Sequence, residues 1–261
     1  MNIRNILFLM ITLLFVACKK DKKPQPIEDN NLQLITKMQD AEGYQISLYA
    51  KNPALETGYN QVYFKIQKPD GSNFSSSNFS FSPLMHMHTM SHSAPFEVPV
   101  YLEEKSLFEA AVIFTMPSGD MGDWELQLKI EGRTLQMPIE ISNAPTRVVG
   151  SYEGSDSVVY VLSLIPPQEP WKTGLNDLEI AIYSTQNKMD FIPYNDFQTE
   201  LEPEMPSMGH GSPNNQNPES IGNGRYKGKV NYTMTGDWRL HFKLKRDGEI
   251  IVDNAFIDIL F

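Results

Sequence analysis

Eight residues, "MHMHTMSH" (85–92), hold three methionines and three of the five histidines of the 261-residue chain. Thioether sulfur is a soft, uncharged donor suited to Cu(I), and imidazole accepts both Cu(I) and Cu(II). Zinc takes His, Cys and carboxylate ligands and gains little from methionine. A second stretch, "EMPSMGHGSP" (204–213), carries a reduced set. The shared pattern is Met-x-x-Met-x-His followed by proline: Met87, Met90 and His92 in the first stretch, Met205, Met208 and His210 in the second. Met85, His86 and His88 add donors in the first, enough for either copper oxidation state. Two thioethers and one imidazole suit a three-coordinate Cu(I) site if the segment turns, and the neighbouring Pro, Gly and Ser permit a turn. The competing reading is that methionine packs on the end of a domain while the histidines sit at the surface. Met116 and Met234, each a few residues before a tryptophan, are weaker candidates, since strand-end methionines more often fill core.

The elements that must position these donors recur. "TGYNQVYFKI" (57–66) matches "TGLNDLEIAI" (173–182), and "GDWELQLKI" (122–130) matches "GDWRLHFKL" (236–244). Between them an ungapped alignment sets Met87 on Met205, Met90 on Met208, His92 on His210 and Pro95 on Pro213, then "FEAAVIFTM" on "YKGKVNYTM". The first copy carries four extra residues within "PSGDM". A repeat of this length is one folding unit used twice, with a boundary near "NAPTRVVG" (143–150).

Each copy reads as short strands. "YQISLYA", "QVYFKIQ" and "WELQLKI" alternate apolar and polar residues or run with β-branched and aromatic ones, separated by breakers such as "KPDGSN". The expectation is an all-β chain of two tandem immunoglobulin-like β-sandwich domains, 33–143 and 147–261, with a small barrel as the competing architecture. Trp124 and Trp238 open matching strands and read as sandwich core.

At the N-terminus, Arg4 precedes an apolar run ending at "LFVAC", the pattern of a secretory signal peptide. A leucine, two residues and Ala17 before Cys18 resemble the bacterial lipobox, which makes residues 1–18 a lipoprotein signal and Cys18 the lipidation site. Residues 19–32, charged and aperiodic, then serve as a tether. The expected location is the cell envelope, with a membrane held through the lipid, on the periplasmic or surface side. Cys18 is the sole cysteine, so the body has neither a disulfide nor a thiolate ligand.

Composition narrows the function further. A formal net charge of −10 argues against nucleic acid, which needs basic surface for its phosphates. The sequence lacks His-Glu-x-x-His, Gly-x-Ser-x-Gly and any phosphate or dinucleotide loop, so an enzyme is not expected.

"EMPSMGHGS" followed by "GRYKGKVNYTMTGDWRLHFKL" resembles the YtkA-like domain family, related to the FixH-like group. The resemblance covers most of the second copy and reaches the first through the repeat. It implies small exported β-sandwiches without catalytic activity, tied by context to copper handling and cytochrome oxidase assembly. A copper transporter or an oxidase assembly protein is then the implied partner. It implicates Met205, Met208 and His210, and departs in the first copy, where Met87-His88 replaces Met-Pro. The expected function is copper handling by a lipid-anchored module. The alternative is an adhesion or assembly module binding a protein or glycan, with the Met/His loops structural.

Overall fold

The computed structural model describes residues 31–261. The signal segment 1–18, lipidation at Cys18 and nearly all of the tether 19–32 therefore lie outside the described residues. All regular secondary structure among the described residues is β-strand. The first half contributes β1 (Gln33–Gln39), β2 (Gln45–Ala50), β3 (Leu55–Glu56), β4 (Gly58–Gln67), β5 (Phe79–His86), β6 (Ser91–His92), β7 (Val100–Leu102), β8 (Leu107–Phe114), β9 (Asp123–Ile130), β10 (Arg133–Ile139) and β11 (Ile141–Ser142). The second contributes β12 (Val149–Glu153), β13 (Val159–Leu164), β14 (Gly174–Thr185), β15 (Ile192–Pro193), β16 (Gln198–Met205), β17 (His210–Gly211), β18 (Gln216–Gly222), β19 (Arg225–Tyr232), β20 (Asp237–Arg246) and β21 (Glu249–Leu260).

In the first half, a sheet ordered β1-β2-β4-β8-β7 packs on one ordered β10-β9-β5-β6, with a short parallel β11–β3 pair beside them. In the second, β12-β13-β14-β19-β18, with β15 on β14, packs on β17-β16-β20-β21. No described strand of one half pairs with a strand of the other. Each half closes around its own core, one holding Phe64, Val112, Phe81 and Trp124, the other Ile180, Val230, Leu201 and Trp238. This is a pair of antiparallel immunoglobulin-like sandwiches. Period-two alternation drives it: Trp124, Leu126, Leu128 and Ile130 face inward along β9 while the residues between them face out.

The Thr-Gly-x-Asn repeat has a physical reason. The Asn60 amide nitrogen donates to the carbonyls of Glu56 and Gly58, and its oxygen accepts from Glu56 N–H. Asn176 makes the same three bonds to Lys172 and Gly174. Both asparagines thus clamp the turn that launches the longest central strand of their sheet.

The halves meet through a small apolar cluster of Ile113, Val161, Ala181 and Tyr183, with Tyr59 and Phe191 against it. Arg225 spans the junction. Its guanidinium donates to Tyr59 Oη and Glu97 Oε1 of the first half, both at 2.7 Å, and to Glu179 Oε1 of its own half at 3.1 Å. Gly58 seats the linker: a Cβ there would stand 2.6 Å from Val148 Cγ2, and its φ is +101°.

Candidate metal-binding site at the domain junction

Strand register settles which donors correspond. On β5, Pro83 pairs with Leu126 and Met85 with Trp124; on β16, Pro203 pairs with Leu240, the residue two beyond Trp238. Met85 pairs across to His92, and Met205 to His210. Met205 therefore occupies the position of Met85, and the ungapped expectation that aligned it with Met87 is corrected. The first copy has two extra residues between its paired Met and His. A Met-rich segment matches at either register, so sliding one copy over the other does not expose the insertion. The Pro-x-Met shared by 83–85 and 203–205 is the signal that would have found it.

Both paired methionines are buried core. Met85 has no exposed surface, and Met205 is 4% exposed, its methyl against Gly236. A Cβ on Gly236 would come within 2.5 Å of Met205 Cε, and one on Gly122 within 2.3 Å of the His86 carbonyl oxygen. With φ values of +136° and +149°, both positions call for glycine, which explains Gly-Asp-Trp in each copy.

The inserted segment forms the site. Met87 N–H donates to the Met90 carbonyl at 2.9 Å, folding the loop back on itself. Met87, Met90, His92 and Met116 then line one cleft of about 760 Å³ at the junction, whose far wall is the linker and the second domain. Trp124 fixes two of them: its indole N–H donates to the Met116 carbonyl at 3.0 Å, and the His92 ring stands edge-on to it, centroids 5.3 Å apart.

His92 is the decisive group. It is 8% exposed, and its Nδ1 donates to the Ser93 carbonyl at 2.8 Å. In the neutral imidazole that bond leaves the lone pair on Nε2. Nε2 is buried and has no hydrogen-bond partner among the described residues. Buried polar atoms are nearly always satisfied, so an unpaired acceptor on a residue that shares its cleft with three methionines fits a soft-metal ligand. Both domains help hold it: Ser93 N–H donates to the Lys188 carbonyl of the second at 2.9 Å, and Ser93 Oγ donates to the Pro83 carbonyl of the first at 2.7 Å.

The remaining candidates go elsewhere. His86 is exposed, with Nε2 3.2 Å from Glu125 Oε1, and it does not line the cleft. His88 is exposed and also outside the lining. Neither joins the set that the sequence suggested.

In the second domain the loop is tight. Met208 and Gly209 N–H both donate to the Met205 carbonyl, at 3.1 and 2.8 Å. Met208 is 59% exposed, and His210 is half-buried, edge-on to Trp238 with centroids 6.1 Å apart. Asp237 accepts from Ser207 Oγ and N–H in this loop, and those bonds hold its carboxyl below the usual range. Met205, Met208 and His210 lie on one loop but line no cleft like that of the first domain. Sequence reasoning missed Lys188, Phe191 and the linker as parts of the first site, because their nearness comes only from domain docking.

No family model matches the chain, and no curated protein matches it. Among solved structures, the Escherichia coli adhesin FdeC aligns at 12% identity over 87% of this chain and 66% of its own, with a TM-score of 0.28. Domains 5–6 of the S-layer protein SbsC align at 10% over 88% of this chain and 99% of the fragment, TM-score 0.31. Invasin, a bacterial integrin-binding protein, aligns at 10% over 84% of this chain and 39% of its own, TM-score 0.27. The chain thus spans just under two thirds of FdeC and well under half of invasin.

Proposed function

We propose that this chain is a non-catalytic binding module of the cell envelope whose first domain takes up Cu(I). The observation that carries this reading is His92 Nε2, buried and unpartnered among the described residues, on a residue that lines the junction cleft together with Met87, Met90 and Met116. These four would hold the ion, and copper would supply no more than its preference for soft donors. The lipobox-like sequence at Cys18 supports a lipid anchor, and the YtkA-like resemblance supports the same metal. From that resemblance we infer a copper transporter or an oxidase assembly protein as partner. Met205, Met208 and His210 are a weaker second set, since Met205 is core and the three do not share the junction cleft.

Competition of the soluble chain against a Cu(I) chelator tests this. One tight equivalent that disappears on replacing Met87, Met90 and His92 with alanine is the expected result. A stoichiometry near zero overturns it.

A second reading, an adhesion or assembly module, is favoured by Val98, just before edge strand β7, and Val100, its first residue, 76% and 61% exposed. An open edge beside apolar side chains suits a partner strand. Its mark would be a protein ligand lost on changing Val100 to lysine, with no copper bound.

A further inference from the structure

The charge around the junction cleft is at odds with the rest of the molecule. The chain has 32 acidic residues against 22 basic ones, yet among the described residues no Asp or Glu lines the cleft, and Arg147 and Lys188 both do. Neither cation pairs with a carboxylate among the described residues. Arg147 is turned onto the Phe256 ring, 4.2 Å from its centroid, and donates to Tyr152 Oη at 3.2 Å. Lys188 stands exposed at the rim. Its turn is fixed: Lys188 N–H donates to the buried Thr185 Oγ1 at 2.9 Å, φ is +60°, and its carbonyl accepts from Ser93 next to the buried imidazole.

A bare Cu(I) ion fits this electrostatic setting poorly. Thioethers and neutral imidazole bring no charge, so the bound ion would keep its full positive charge in a largely apolar cleft that Arg147 and Lys188 also line. An unpaired charge in such surroundings is costly. The volume makes the same point, because about 760 Å³ suits an organic molecule and a lone ion fills little of it.

Resting on the Cu(I) reading, we propose that the cleft receives copper as the complex of a small anionic thiol. The thiolate stays on the metal, His92 Nε2 and a thioether add to it, and a carboxylate of the thiol meets the Lys188 ammonium. The step is ligand addition alone. No electron moves, and the thiol proton has already left when the complex forms in solution.

The test compares two copper sources on the soluble chain, the Cu(I)–glutathione complex and Cu(I) supplied in acetonitrile, by equilibrium dialysis and native mass spectrometry. The expected result is one glutathione retained with the copper. Lys188→Glu should lower affinity for the glutathione complex about tenfold and tighten uptake from acetonitrile. Lys188→Arg should restore wild-type behaviour. Copper bound without retained thiol, or equal affinities in Lys188→Glu, overturns the proposal and leaves the Cu(I) reading standing. No uptake from either source overturns that reading, and the proposal with it.

Discussion

The two Met/His loops start from the same scaffold and end differently. Each follows a Pro-x-Met strand end opposite a buried tryptophan, and each returns through a histidine edge-on to that tryptophan. In the first domain, two more residues let the loop fold back and carry Met87 and Met90 to a cleft. The neighbouring domain completes that cleft through the linker and the Lys188 turn. In the second domain the shorter loop tightens on Met205; Met208 is exposed, as Met90 is (59% and 47%), but only Met90 lines the junction cleft. Repeating a motif therefore does not repeat a site. Loop length and a docked neighbour decide whether donors converge.

The strongest way to break this comparison is at its anchors. Met85→Ala and Met205→Ala should each cost about 3 kcal/mol, the usual loss for truncating a buried methionine. Met90→Ala and Met208→Ala should stay within about 0.5 kcal/mol. Urea unfolding of the four variants reads this directly, and a harmless Met205→Ala would undo its equivalence with Met85. Next comes the imidazole. His92→Ala should weaken the tight Cu(I) equivalent about 100-fold, or about 2.7 kcal/mol, and His210→Ala should weaken the looser one about tenfold. Chelator competition on each variant gives both numbers. Equal losses would mean that the junction adds nothing.

The glycines sharpen the contrast at lower energy. Gly122→Ala meets a backbone oxygen, which cannot step aside, and should cost about 2 kcal/mol. Gly236→Ala meets the flexible tip of Met205 and should cost about 1 kcal/mol. Denaturant midpoints for the pair test the order.

The last effect concerns the junction itself and is felt only at high pH. Burial, reinforced by Glu97, raises Tyr59 and Tyr183 from 10.0 to about 12, against the opposing pull of Arg225. Neutral phenol is thus favoured in the folded form. Stability from these groups is complete below pH 10 and is lost as pH rises toward about 12. Phenolate absorbance should show a group of late-titrating phenols, Tyr226 among them, with two fewer in Tyr59→Phe/Tyr183→Phe. A titration no later than that of exposed tyrosines would mean the halves do not dock in this way.

Much of the architecture was legible from alternation alone. Trp124 and Trp238 read as core because every second residue after them is apolar, and burial follows that pattern. Met87, Met90 and His92 were legible as a set from residue type and closeness in the chain, and they do line one cleft. Met85 and Met205 were misassigned because composition does not reveal which residues of a Met-rich run finish a strand. His86 looked like a donor until Glu125, across the sheet, took its Nε2. Lys188 was illegible for a different reason: its role depends on domain docking, which local patterning does not record.

The asparagine clamps bear on how the molecule ages. Asn60 and Asn176 each use an NH2 group to hold two carbonyls, and a carboxylate in the same place has no proton to give. Slow hydrolysis of either amide would add one unit of mass and one negative charge. It would also set an oxyanion against two carbonyl oxygens at the start of a central strand. Neither asparagine precedes a glycine, and both are tied on either side of the amide. Wear at these two positions would loosen the domains one at a time, each from its own turn.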